Sequence, residues 1–234
     1  MKRTVLVISL ALLLAASAFG QAKPANLEQV LNLLDKASVG FKSVQTDFVW
    51  DQFEAVVQDH DIQKGVMYFH RREDAKRDEA NVEMAAEITF PAQKFVLFSG
   101  DLLQVYLPKA DEVTRYTPGK NRADFEAYLT LGFGGRGHDL LKNFDLTYKG
   151  VENVDGKATY KIELVPKSQK VKNMFNLITL WIDPQTGMSV QQKFKEGGGD
   201  YRLATYTSIQ INHPLPHDAF KLKTTSRTKY ISPN

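Results

Sequence analysis

The chain has no cysteine. No disulfide can hold it together, even in an exported setting that would permit one, so its stability must come from a packed core. A lipid anchor attached through a cysteine behind a leader is excluded for the same reason. An excess of charge is also lacking. Thirty basic residues face 27 acidic ones, and setting aside Lys2 and Arg3 leaves 28 against 27. Nucleic-acid binding, which needs a clustered basic surface, gains no support from that balance. A long apolar run is absent too. The longest, Val5 to Ala16, falls short of the roughly 20 residues that a membrane-spanning helix needs.

What that run does resemble is the core of a secretory leader. Lys2 and Arg3 precede it, and Ala16-Ser17-Ala18 gives it a small-x-small exit. Cleavage after Ala18, Gly20 or Ala22 is expected, which gives a leader over residues 1–22 and one domain over 23–234. The protein is therefore expected in the periplasm.

Beyond the leader, Asn26 and Gln29 have the spacing of a capping box. Leu27, Val30, Leu31, Leu34, Ala37, Ser38 and Phe41 follow at intervals of three and four, which predicts one amphipathic helix ending near Gly40. The period then becomes two. Thr46, Phe48 and Trp50, then Met67 and Phe69, then Val82 through Phe90, alternate with polar residues as in antiparallel sheet. The stretch from Ile88 to Tyr116 departs from this. Phe95–Phe98 and Leu102–Leu107 carry apolar residues on both faces, as in a sandwich or a cup around something greasy. Arg71–Asn81 is heavily charged and reads as a solvated connection.

Between Asn121 and Phe144 the pattern turns helical, with Phe125, Tyr128 and Leu129 in register, then a glycine-rich joint, then Leu140, Leu141 and Phe144. Strands return at Phe144–Tyr148, Ala158–Val165, Leu177–Ile182, Val190–Phe194, Tyr201–Ile211 and Phe220–Leu222. Ten to twelve strands with few helices predict a mainly β fold: a meandering, strongly curved antiparallel sheet in a single domain.

Catalytic signals are weak. Gly132, Gly134, Gly135 and Gly137 spell the letters of a dinucleotide fingerprint, but a helical run precedes them where a strand is required. They are read instead as a hinge. None of His60, His70, His138, His213 and His217 falls in a metal-protease pattern, and there is no Gly-x-Ser-x-Gly. Asp59/Asp61 and Glu73/Asp74 lie in polar runs. No metal, no cofactor and no enzymatic activity is expected. An outer-membrane barrel fits poorly, because several strands are only five or six residues long where about ten are needed.

The order of these pieces resembles the LolA-like family of periplasmic outer-membrane lipoprotein carriers. The resemblance runs from Leu34-Asp35-Lys36 into Phe41, through Thr46-Asp47-Phe48 and Gly65–Arg71, to the Ser99-Gly100-Asp101 turn. It continues through Leu103–Pro108 with Val113. It implies an unclosed β-barrel, its apolar inner face covered by a helical lid that opens for acyl chains. The acyl-binding candidates are then Leu31 and Leu34 on the helix, with Phe48, Trp50, Met84, Leu97, Val105 and Trp181 on strands. Leu34 and Arg71 fall at the family's lid-latch positions. The implied partners are acylated lipoproteins or lipid, with an inner-membrane transporter as donor and an outer-membrane acceptor, and the protein is expected to be a monomer. The chain also departs from the family. Arg71-Arg72 stands where Arg-Pro is usual, and the Lys167–Asn173 segment and the Gly132–Gly137 loop are distinctive. An exported lipid- or lipoprotein-sensing module of the same fold is the alternative, and a secreted hydrolase a distant third.

Overall fold

The computed structural model describes residues 25–72, 82–99, 102–117 and 131–233. The leader, the helical run at Phe125, Tyr128 and Leu129, and most of Arg71–Asn81 lie outside them.

The chain opens with α1 (Leu27–Gly40). Its capping box is closed in both directions: the Gln29 backbone N–H donates to Asn26 Oδ1 at 2.9 Å, and the Asn26 N–H to Gln29 Oε1 at 3.1 Å. Two orphan N–H groups of the first turn are thereby satisfied. The stripe read from the sequence is the buried face, with Val30, Leu31, Leu34 and Ser38 all inside.

Six strands follow: β1 (Ser43–Glu54), β2 (Asp59–Arg71), β3 (Val82–Phe90), β4 (Lys94–Ser99), β5 (Leu102–Leu107) and β6 (Glu112–Tyr116). A short helix α2 (Gly137–Asn143) leads to β7 (Phe144–Val154) and β8 (Lys157–Pro166), and one helical turn, α3 (Gln169–Lys172), to β9 (Leu177–Ile182). Then come β10 (Ser189–Lys195), β11 (Tyr201–Ile211) and β12 (Lys229–Ile231). All twelve form one sheet in the order β12-β6-β5-β4-β3-β2-β1-β11-β10-β9-β8-β7. Two meanders are joined where β1 pairs β11, with Phe48 opposite Tyr206. Pairing is antiparallel except at β12, which lies parallel to β6. The ends of the order, β12 and β7, do not pair with each other, so the curled sheet is not closed.

The inner face holds two apolar clusters. One gathers Phe48, Phe69, Met84, Ile88, Phe98 and Tyr206 on β1–β4 and β11, with Phe41 at the end of α1. The other gathers Ile162, Leu164, Ile178, Leu180 and Ile182 on β8 and β9, with Val30 and Leu34 of α1 pressed on them. One helix thus spans both halves, and fully burying each such side chain contributes about 1.5–3 kcal/mol.

The C-terminal part differs from expectation. Phe220–Leu222 is not a strand; Leu215, Ala219, Phe220 and Leu222 instead form an irregular strap over Tyr68, Ala85 and Leu97 on the outer face. Among the described residues, those of the strap pair with no strand, and their apolar side chains cover that face. Asp111 clasps the strap: its carboxylate accepts from Thr225 Oγ1 at 2.7 Å and Thr228 Oγ1 at 2.5 Å, and its carbonyl accepts from the Lys229 N–H at 2.9 Å. Asp111→Ala is expected to raise amide exchange across residues 213–231 while leaving β8 and β9 protected. Unchanged exchange there would show that the strap does not depend on the clasp.

Candidate functional site: the covered inner face

Two devices fasten the cover, one to the sheet and one between helices. The first is Arg71, at the end of β2. Its Nη1 donates to the Ser38 carbonyl near the end of α1 at 2.8 Å, and its Nη2 to the Gly134 carbonyl at 2.6 Å. Its backbone N–H donates to the Lys42 carbonyl at 2.8 Å. The guanidinium carbon lies 5.5 Å from the centroid of the Phe41 ring, within cation–π range. Burial pushes the guanidinium pKa down, but an arginine stays charged regardless. One cation therefore ties the helix end, the glycine-rich loop and the sheet together through carbonyl oxygens.

The second device is His138, on α2. Its Nδ1 lies 2.5 Å from Asp35 Oδ2 and its Nε2 3.2 Å from Glu28 Oε1, while its backbone N–H donates to Asp35 Oδ1 at 3.2 Å. A protonated ring donates from both nitrogens to two carboxylates of α1. The Asp35 hydrogen bond raises the imidazole pKa most; burial opposes it, and the charges of Asp35 and Glu28 add to the rise. For Asp35, burial favours the neutral acid, yet the bonds to His138 and the charges of His138 and Arg136 together outweigh it and lower its pKa.

Leu131 and Phe133 lie between these devices, each only 1 % exposed. Phe133 stacks on Phe69 at 4.7 Å and meets Tyr206 edge-on at 4.8 Å. The backbone is fastened as well. Gln192 Nε2 donates to the Leu131 carbonyl at 2.5 Å, Tyr206 donates its hydroxyl to Gln192 Oε1 at 3.2 Å, and the Ser189 N–H donates to the Gly132 carbonyl at 2.9 Å. Three of the glycines expected to form a hinge, Gly132, Gly134 and Gly137, are closely packed in this conformation. A Cβ on Gly134 would come within 2.3 Å of the Phe41 ring, and one on Gly137 within 2.4 Å of the Leu31 carbonyl oxygen. In this conformation their role is close approach. The Gly132–Gly137 loop is a plug.

The candidate lining divides between the faces. Phe48 and Met84 belong to the inner cluster of β1–β4, and Trp50 packs against it. Val105 shares that face through Val96, its partner on β4, and Leu34 packs on the other inner cluster. Leu31 is buried beside Gly137 and belongs to neither cluster. Leu97 and Trp181 are on the outer face, contrary to expectation. Val96 and Phe98 point inward, so Leu97 meets the strap. Ile178, Leu180 and Ile182 point inward, so Trp181 lies beneath the Lys161 ammonium, with its indole N–H donating to Glu152 at 3.1 Å. A one-residue error of phase moves a side chain through the sheet, and two-faced apolar strands leave that phase unreadable. The sequence reading missed Leu131, Phe133 and the Asp35–His138 pair; large apolar residues alternating with glycine in L-G-F-G were the available signal for the plug.

No family model and no curated protein matches the chain. Solved structures do. An uncharacterized conserved protein from Thermus thermophilus aligns at TM-score 0.54 with 10 % identity, over 88 % of this chain and 98 % of that one. MucB, in its complex with MucA from Pseudomonas aeruginosa, aligns at TM-score 0.50 with 15 % identity, over 85 % of this chain; the match spans 61 % of the other chain. A LolA superfamily protein from Nitrosomonas europaea aligns at TM-score 0.40 with 14 % identity, over 85 % and 98 %. The alignments at TM-scores of 0.54 and 0.50 show a shared fold. Likeness at these identities concerns architecture alone, here an unclosed sheet with a helix across its inner face.

Two outcomes are expected. Phe133→Ala should lower stability to denaturant by about 3–5 kcal/mol, as for other buried Phe truncations; a loss under about 1 kcal/mol would mean the plug is not seated. The α1–α2 contact should also depend on pH. Folding raises the His138 pKa above the ordinary value, so its contribution is complete below about 6.5 and lost as pH rises through the raised folded value. The Asp35 contribution is present above its ordinary value and lost as pH falls through its depressed one. Opening of α2, measured by hydrogen exchange corrected for intrinsic rates, should therefore increase at alkaline pH. His138→Gln should flatten that dependence; an unchanged slope in the variant would exclude the histidine as its source.

Proposed function

We propose that this protein is an exported soluble carrier that takes the acyl chains of lipoproteins against its inner face and moves them toward an outer membrane. The observation that carries the reading is that an inner face holding two apolar clusters is covered by one helix and a plug fastened largely through side chains, Arg71 and His138 among them. A cover built in this way can open, α1 moving away from α2 and the plug, without breaking the sheet. Hiding one sixteen-carbon chain from water is worth roughly 12 kcal/mol at about 0.8 per CH₂, enough to drive such an exchange of inner-face contacts. Leu34 and Leu31 of α1, with Phe48, Trp50, Met84 and Val105, form the lining on this reading, and Arg71 with Leu34 forms the latch. The glycines at 132, 134, 135 and 137 let the plug leave and return as one piece. The chemistry is binding and release, with no bond made or broken. An inner-membrane donor and an outer-membrane acceptor complete the route.

The likeness to MucB, whose structure is described in complex with MucA, gives a second reading: a module that senses lipid or lipoprotein and passes the signal to a protein partner. Delivery separates the two. A carrier must release what it binds, which requires affinities that differ between open and closed states.

Because the chain has no cysteine, Asp35→Cys with His138→Cys can tether α1 to α2 where the side chains already meet. Loading of an acylated peptide should be blocked under oxidising conditions and regained on reduction. Equal loading in both states would remove the lid from the mechanism. Arg71→Leu should quicken both uptake and release, and unchanged rates would remove the latch. Loaded protein that never delivers to acceptor vesicles would leave the sensor reading in place of the carrier.

A further inference from the structure

The Lys167–Asn173 segment lies apart from the cover and the inner face. It reverses the chain between β8 and β9 and is held by its own backbone: the Lys172 N–H donates to the Ser168 carbonyl at 3.0 Å and the Phe175 N–H to the Val171 carbonyl at 2.8 Å. Val171 is 6 % exposed and pins the turn to the protein. With Val171 inward, Lys170, Lys172 and Met174 are left outside, and Met174 is 52 % exposed. The end of α2 adjoins the segment. The Lys167 N–H donates to the Asn143 carbonyl at 2.9 Å, and Lys167 Nζ to the Leu141 carbonyl at 2.7 Å. Leu141, 39 % exposed, and Lys142 extend the same corner.

The charges there do not balance. Asp139 pairs with Lys142 at 2.9 Å, and Asp145 lies 3.7 Å from Lys167. Lys170 and Lys172 have no carboxylate within 4.0 Å among the described residues. The chain as a whole is nearly neutral once its first basic residues are set aside, so this local excess is not a by-product of composition. Cationic side chains on long stems around two projecting apolar groups match an interface with negative headgroups above and hydrocarbon below.

We propose that this corner, Leu141–Lys142 together with Lys167–Met174, docks on an anionic lipid bilayer. The proposal stands apart from the carrier reading, because protein without cargo would show it.

Sedimentation with vesicles tests it, using the chain without residues 1–22, whose apolar run would itself bind lipid and which lie outside the described fold. Binding is expected to equimolar phosphatidylcholine–phosphatidylglycerol vesicles and not to phosphatidylcholine alone, and it should weaken as salt rises. Lys170→Gln with Lys172→Gln should lower the partition coefficient roughly 25-fold, at roughly fivefold for each lysine near such a surface. Met174→Ser should lower it at every salt concentration. Lys109→Gln with Lys157→Gln removes the same charge at the β5–β6 turn and at the start of β8, and should leave it within about twofold, since distant charges are screened. The proposal is overturned by equal binding to neutral vesicles or by an equal loss in the Lys109/Lys157 pair. It is also overturned by no binding to either vesicle, which would leave the corner to an acidic protein surface.

Discussion

Curling an unclosed sheet brings Phe48, Phe69, Met84, Ile88 and Phe98 of one meander and Ile162, Leu164, Ile178 and Leu180 of the other onto a single concave face. That face cannot be left to water, and the rest of the structure follows from covering it. No disulfide is available and no strand from the far edge closes the curl. The cover therefore comes from a helix preceding the sheet and a loop inserted between its meanders. Burial supplies the energy, and Arg71 and His138 supply the position. A guanidinium whose donors end on carbonyls of two different segments specifies where both segments stop, which a greasy surface cannot do by itself.

The same division explains how a cover could be both tight and removable. Phe133 and Leu34 are held chiefly by burial, so on the proposed function an acyl chain would replace them against the same wall at little net cost. Arg71 and His138 gain theirs from geometry, which is lost abruptly when the helix moves. The outer face is organised independently. There the Leu215–Leu222 strap and its Asp111 clasp cover Tyr68, Ala85 and Leu97, so movement on the inner side need not expose the outer one.

Much of this was legible in the sequence. The capping box at Asn26 and Gln29, the stripe through Leu34, and the limits of β5, β9 and β11 follow from spacing alone, because each depends on neighbours a few residues away. The place of Arg71 came through the resemblance and not from any local pattern. Leu97 and Trp181 failed for a definite reason: a strand apolar on both faces carries no phase. The packing of the Gly132–Gly137 loop was illegible for a different reason. Glycine marks both slack backbone and close approach, and only the Phe41 ring beside Gly134 and the Leu31 carbonyl beside Gly137 decide between them. His138 was set aside with the other histidines because its carboxylate partners lie about a hundred residues earlier, on α1.

The central claim is that acyl ligand displaces α1 from a sheet that itself stays intact. Spin labels on cysteines introduced at Lys36 of α1 and Gln210 of β11, both exposed, measure that displacement directly by pulsed dipolar spectroscopy. With an acylated peptide bound, the distance distribution should shift to a longer and broader population, while a second pair within β8 and β11 stays unchanged. A distribution between Lys36 and Gln210 that is identical with and without bound peptide would contradict the account.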